Sequence, residues 1–236
     1  MKLLLERKPR TAAGFFVLKA LFVFAAIFFA AESLWAQSEG AGPSLEQVSA
    51  ALAQNKTVRG DFALERSAAN KSRVLKSSGK FVIASDYGII WKSEKPIKAV
   101  QVVAKDFSLT EAASGRRTKI DGRQNPVYLQ MALLTSALWT GNLEAVQSAA
   151  SLNFVSDENS WSLELFPKDK AVQMALEKIR VAGTWSAAAG GKALSNAEVN
   201  LMEMNLQGGN SATYKMSGLT YSGALTDVER AYFETK

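Results

Sequence analysis

The 236-residue chain contains no cysteine and no histidine. Without cysteine there are no disulfides, thiolate metal sites or thiol nucleophiles. Without histidine, Ser-His-Asp chemistry, imidazole acid–base work and His-ligated zinc or iron are ruled out. An enzyme built from this chain would depend on carboxylates, lysine or tyrosine, and the carboxylates fall at no spacing that makes a pair. The composition therefore points away from catalysis, with no metal and no cofactor expected. Proline is scarce, at five residues. Charged residues make up 21% and hydrophobic residues 47%, which fits a packed globular domain and neither a disordered nor a fibrous chain.

Charge is also less than it first seems. The formal net of +6 includes Lys2, Arg7, Lys8, Arg10 and Lys19, set against Glu6 and Glu32. Without residues 1–36 the chain keeps 23 basic and 20 acidic residues, a net of +3. That is too small a surplus to argue for nucleic acid.

The first 36 residues have the order of a secretory signal. A basic start leads into Ala20–Ala31, a run without polar residues, and Glu32-Ser33-Leu34-Trp35-Ala36 follows with a small residue at a cleavage position. The run is shorter than the ~20 residues that span a bilayer. The competing reading is an uncleaved anchor that recruits Ala12–Leu18 across Lys19. The expectation is a signal peptide over 1–36 and one domain over 37–236, located in the periplasm. No cysteine follows the apolar run, so the chain is not expected to be a lipoprotein itself.

Ser38–Ser44 is rich in Gly and Ser. Ser44, with Gln47 three residues on, has the form of a capping box opening a helix over Leu45–Ala53. Strand alternation follows in Val58–Glu65, where Val58, Phe62 and Leu64 share a face opposite Arg59, Asp61 and Glu65. Further strands are expected at Gly79–Ile83, Gly88–Ser93, Ala99–Ala104, Phe107–Ala112 and Arg117–Ile120. After Asn125-Pro126, Val127–Trp139 carries no charge and is long enough for a helix. A short helix over Leu143–Ser148 precedes strands at Ala150–Val155, Trp161–Phe166, Lys178–Thr184, Ala197–Leu206 and Ala212–Tyr221. The fold class expected is mainly β (α+β): one strongly curved antiparallel sheet of about ten or eleven strands covered by helices.

Val58, Phe62, Phe81, Ile83, Ile89 and Trp91 fall on one apolar face. Such a face is ordinarily hydrophobic core, and the uncharged helix Val127–Trp139 is ambiguous in the same way. Arg116-Arg117-Thr118-Lys119 reads as a solvated hairpin tip. Asp157-Glu158 and Lys168-Asp169-Lys170 read as solvated turns, and Ser77-Ser78-Gly79 and Gly190-Gly191 as turn chemistry.

Taken in order, these stretches resemble the LolA family, periplasmic carriers of outer-membrane lipoproteins, and more closely its divergent LolA-like branch. The residues carrying the resemblance are Val58–Phe62, Gly79–Ile83, Ile89-Ile90-Trp91 and Pro96, then Leu152-Asn153-Phe154, Trp161–Leu165 and Phe166-Pro167-Lys168. Ser85-Asp86 stands where the family has an Arg-Pro pair that latches the lid, and Lys105-Asp106 where it has an Asp-Gly turn. The resemblance implies an incomplete, strongly curved antiparallel β-barrel with an apolar concave face under a helical lid made of Leu45–Ala53 and Val127–Trp139. It also turns the apolar face into a lipid cavity lined by Val58, Phe62, Phe81, Ile83, Ile89, Trp91, Leu129, Leu133 and Leu134. The partners implied are an acylated lipoprotein or lipid cargo, an inner-membrane donor complex and an outer-membrane acceptor, with the protein a monomer. A lipid-sensing or docking module that transports nothing is the alternative on the same scaffold.

Overall fold

The computed structural model describes residues 42–69, 74–122, 134, 136–139, 141–187 and 194–234. The expected signal segment and most of Val127–Trp139 lie outside them, as do Leu129, Leu133 and Gly190-Gly191. Helix α1 (Leu45–Ala53) opens with the expected capping box, in which Ser44 and Gln47 satisfy each other's backbone N–H groups. Six strands follow: β1 (Thr57–Ser67), β2 (Val74–Ala84), β3 (Gly88–Lys95), β4 (Ala99–Ala104), β5 (Phe107–Ala112) and β6 (Arg117–Asp121). After helix α2 (Leu143–Ala149) come β7 (Ala150–Ser156), β8 (Ser160–Pro167), helix α3 (Lys170–Gln173), β9 (Leu176–Ala187), β10 (Leu194–Leu206), β11 (Ser211–Ser222) and helix α4 (Asp227–Phe233). Leu134 and residues 136–139 are helical too.

All eleven strands form one antiparallel sheet in the order β6-β5-β4-β3-β2-β1-β11-β10-β9-β8-β7. Strands consecutive in sequence pair with each other except β6 and β7, and β1 pairs in addition with β11. That pairing brings the two ends of the domain together at the centre. The outermost strands, β6 and β7, do not pair with each other, so the barrel is incomplete. Curvature follows from packing: Trp91 of β3 and Trp161 of β8 belong to one buried cluster although five strands separate them in the sheet.

Irregular register sharpens the bend. Ladders shift between Arg59 and Asp61 on β1, between Ser78 and Gly79 on β2, and between Val199 and Leu201 on β10. Gly79 is required because a Cβ there would stand 2.0 Å from the Lys92 carbonyl oxygen. Ser77-Ser78-Gly79 therefore lies inside β2 and is not the turn expected from its composition: serine and glycine serve the close strand approach. On β10 the shift changes the phase of burial. Ala197 and Val199 point inward, then Met202 does, so one face stays apolar through the bulge.

Three other expectations are corrected. Only Arg116 of the basic cluster lies in the turn, because Arg117 to Lys119 pair in edge strand β6. Arg117 binds Glu111 at 2.7 Å, and charge on an exposed edge discourages further strand pairing. Lys168 and Asp169 are structural: the Lys168 ammonium donates to the Gln147 carbonyl at 2.6 Å, and the Asp169 carboxylate caps α3 by accepting from the Ala171 and Val172 N–H groups. Helix α4 was not anticipated, although Thr226 and Glu229 form a capping box of the same form as that of α1.

Candidate functional site: the inner face and its open end

Both faces of the sheet carry apolar clusters. The inner one joins β1–β3 and β8–β11 to α1, α2 and the helical residues 134–139 that are described. Alternation selects its members. Val58, Phe62 and Leu64 of β1, Phe81 and Ile83 of β2, and Ile89 and Trp91 of β3 turn inward, while Val82 and Ile90 turn outward. Aromatic rings bind this face together. Trp91 meets Phe62 edge-on at 5.1 Å and Tyr214 at 4.8 Å, and Phe81 lies 5.5 Å from Trp91 and 6.2 Å from Trp139. Such pairs add about 0.5–1.5 kcal/mol each beyond area burial.

Of the nine residues expected to line a cavity, Val58, Phe62, Phe81, Ile83, Ile89, Trp91 and Leu134 meet in this one buried cluster. Leu129 and Leu133 lie outside the described residues. Helix α1 covers the cluster with Val48, Ala51 and Leu52. Gly141 lets the following chain approach α1 closely, since a Cβ there would meet the Ser49 carbonyl oxygen at 2.0 Å. The middle of the inner face is therefore packed.

Open space begins at one end. A cleft of about 380 Å³ is lined by Phe62, Leu64, Leu75, Trp91, Pro96, Ile97 and Tyr214, with Ser77, Ser93, Gln101 and Thr110 supplying polar groups. Phe62, Trp91 and Tyr214 belong to both the cleft and the packed cluster, so the cleft is an extension of the core toward solvent. Its rim is apolar where water is present: Leu75 is 55% exposed and Ile97 70%. Two cations also line it. The Lys76 ammonium lies 2.9 Å from the Glu65 carboxylate, and this hydrogen bond holds the Glu65 pKa below its ordinary value. Arg66 has no ion pair among the described residues. Volume, apolar lining and a few polar groups are the usual attributes of a small-molecule site.

Leu75, Ile97 and Tyr214 were not singled out in the sequence. Tyr214 was legible, because it sits in phase with Met216 on an alternating strand. Leu75 and Ile97 lie at a strand end and in a turn, where periodicity says nothing.

At the opposite end, Ser85 lines a pocket of about 520 Å³ with Leu134, Ser136, Ala137, Lys105 and Lys168. Asp86 is exposed. Neither Ser85 nor Asp86 makes a side-chain bond to the helical residues 134–139 among the described residues. No three of His, Cys, Asp and Glu come together as a metal site among the described residues.

No protein-family model matches the chain, and no curated protein matches it in sequence. Solved structures resemble it in fold. A putative outer membrane lipoprotein-sorting protein domain from Vibrio parahaemolyticus is 12% identical with a TM-score of 0.42, over 80% of this chain and 95% of that one. A LolA superfamily protein from Nitrosomonas europaea is 12% identical with a TM-score of 0.41, over 78% and 94%. A DUF1329 family protein from Desulfovibrio piger is 12% identical with a TM-score of 0.43, over 83% and 98%. The likeness spans most of each chain and is loose in detail.

Among the described residues, no helix is long and apolar enough to cross a membrane.

Proposed function

We propose that the protein is a periplasmic carrier that binds the acyl chains of a lipoprotein or other lipidated molecule and moves it from the inner to the outer membrane. One observation carries this reading: the apolar cleft is open to solvent, and its inner wall is the aromatic cluster of the sheet. An acyl chain entering past Leu75 and Ile97 meets Phe62, Trp91 and Tyr214 and covers side chains now exposed to water. Burial is worth about 0.8 kcal/mol per CH₂, so a C16 chain offers on the order of 12 kcal/mol gross. Association costs about 4–15 kcal/mol, which leaves binding that is useful and still reversible. The absence of histidine and cysteine is in keeping with a binding function and supplies no catalytic group.

The test is Leu75→Glu, read with a fluorescent fatty-acid probe. Leu75 is more than half exposed, so a carboxylate there stays hydrated and the circular dichroism should match the parent protein. Probe binding should fall at least tenfold. Unchanged binding by a folded variant would refute the cleft as the acyl site. A second assay, transfer of an acylated protein between two vesicle populations, separates a carrier from a sensor, which would bind the cargo without speeding its transfer.

A further inference from the structure

We propose that the outer face carries a second and independent ligand site, in the pocket between the sheet and α4, for a small amphiphilic carboxylate whose anion is received by Lys92. The pocket measures about 480 Å³ and is separate from the acyl cleft, lying on the opposite face of β1–β3. Its floor is apolar: Val82 and Ile90 face outward and belong to the second buried cluster. Its other wall is α4, a helix with no buried residue, whose Val228 lines the pocket while 73% exposed. An apolar group seated between Ile90 and Val228 would bury surface that the fold leaves wet.

Charge selects the rest of the ligand. Arg59, Lys80 and Lys92 face Asp61 and Glu229 in this pocket, an excess of one positive charge. Arg59 is largely committed: it donates to both Glu229 oxygens at 2.8 and 2.6 Å, to the Ser222 hydroxyl and to the Ala224 carbonyl, which uses four of its five N–H groups. Lys80 is paired with Asp61 at 2.9 Å. Lys92 stands directly across the ladder from Lys80 and has no ion pair among the described residues. Like charges opposite one another are unfavourable; Asp61 bonds Lys80, on which Glu94 also acts more weakly, and neither forms an ion pair with Lys92 among the described residues. A ligand carboxylate on Lys92 completes the alternation Asp61–Lys80–carboxylate–Lys92.

The experiment titrates the purified protein with octanoate and, separately, octanol, following backbone amide shifts. Octanoate should give saturable shifts at Val82, Ile90, Lys92 and Val228, and octanol weaker ones. Lys92→Gln should weaken octanoate at those positions about two- to fivefold, the range for an exposed ion pair, and leave octanol unchanged. Val228→Asp, at an exposed position in the first turn of α4, should weaken both. Equal binding of octanol and octanoate, unchanged octanoate affinity in Lys92→Gln, or shifts confined to Leu64 and Leu75 in the cleft would each overturn the proposal. None of these results bears on the inner-face reading, which the Leu75→Glu variant tests by itself.

Discussion

Replacing Phe81 with alanine measures how firmly the middle of the inner face is packed. Phe81 is 1% exposed, and its ring contacts Trp91 and Trp139, joining the sheet to the helix above it. The space around it is close-fitting, since a Cβ on Gly60 would lie 2.9 Å from the Phe81 ring. Truncating a phenylalanine in such a site costs about 3–5 kcal/mol, the transfer of the ring plus the cavity left behind. Two aromatic contacts at about 0.5–1.5 kcal/mol each fall within that figure and place this site toward its upper end. A domain of ordinary stability has about 5–15 kcal/mol in total, so Phe81→Ala should fold with a large fall in its urea midpoint. Leu75→Ala, at the cleft rim, should cost less than about 1 kcal/mol in the same experiment. The assay is urea unfolding followed by tryptophan fluorescence. A Phe81→Ala cost below about 1 kcal/mol would mean that the site collapses or hydrates freely, and the packed inner face would then be refuted.

Three further outcomes are expected. Glu229→Ala removes both the ion pair with Arg59 and half of the α4 capping box, and should cost about 2 kcal/mol, with loss of amide protection confined to α4 in hydrogen exchange. The same contact should respond to acid: the hydrogen bond from Arg59 holds the Glu229 pKa below its ordinary value, so its stabilisation is complete above about pH 4.3 and disappears as the pH falls through the lower folded value. Protection factors of the α4 amides, corrected for intrinsic exchange, that do not change between pH 6 and pH 3 would contradict this. Gly183→Ala should destabilise by about 1–3 kcal/mol, because its Cβ would stand 1.7 Å from the Glu198 carbonyl oxygen, whereas Gly223→Ala, with open space around it, should be neutral or slightly stabilising in the same thermal melt.

The strands were legible where one face is dry and the other wet. Ala99–Ala104 and Phe107–Ala112 were read to the residue, and Leu45–Ala53 was readable from its capping box. Boundaries failed where a strand runs on through polar residues. β2 begins at Val74 and passes through Lys76-Ser77-Ser78 because its backbone pairs with β1 residue for residue, and pairing of that kind leaves no mark on hydropathy. The inner-face set was legible as a face, since period-two alternation puts Phe81 and Ile83 together whatever they line. Whether that face is core or cavity was not. Burial in a core and burial against a ligand select the same residues, and the difference lies in what the helices cover. The cleft escaped notice because two of its walls, Leu75 and Ile97, are placed by a strand end and a turn.

The outer face explains how the inner one can open. Over β8–β10 it is polar, with Lys178 bound to Glu164 at 2.5 Å and Arg180 to Glu203 at 3.1 Å, as in an antiparallel sheet that is wet on one side. Over β2–β5 it is apolar, with Ile90, Val100, Val102, Ala104, Phe107 and Leu109 buried and Tyr232 and Phe233 of α4 packed against them. β3 is therefore held from both sides, Ile89 and Trp91 by the inner cluster and Ile90 by the outer one, and its first four residues are all buried. Bending the sheet to admit a ligand would disrupt two cores at once. Lifting α1, or the segment carrying Trp139, would disrupt one. An acyl chain longer than the cleft should accordingly displace the helices and leave the sheet in place. Disulfide tethering of α1 to β10 through introduced cysteines tests this: a tethered protein should keep its affinity for a short-chain probe that fits the cleft and lose affinity for a C16 probe. Equal affinity for both would show that the long chain is accommodated without moving α1.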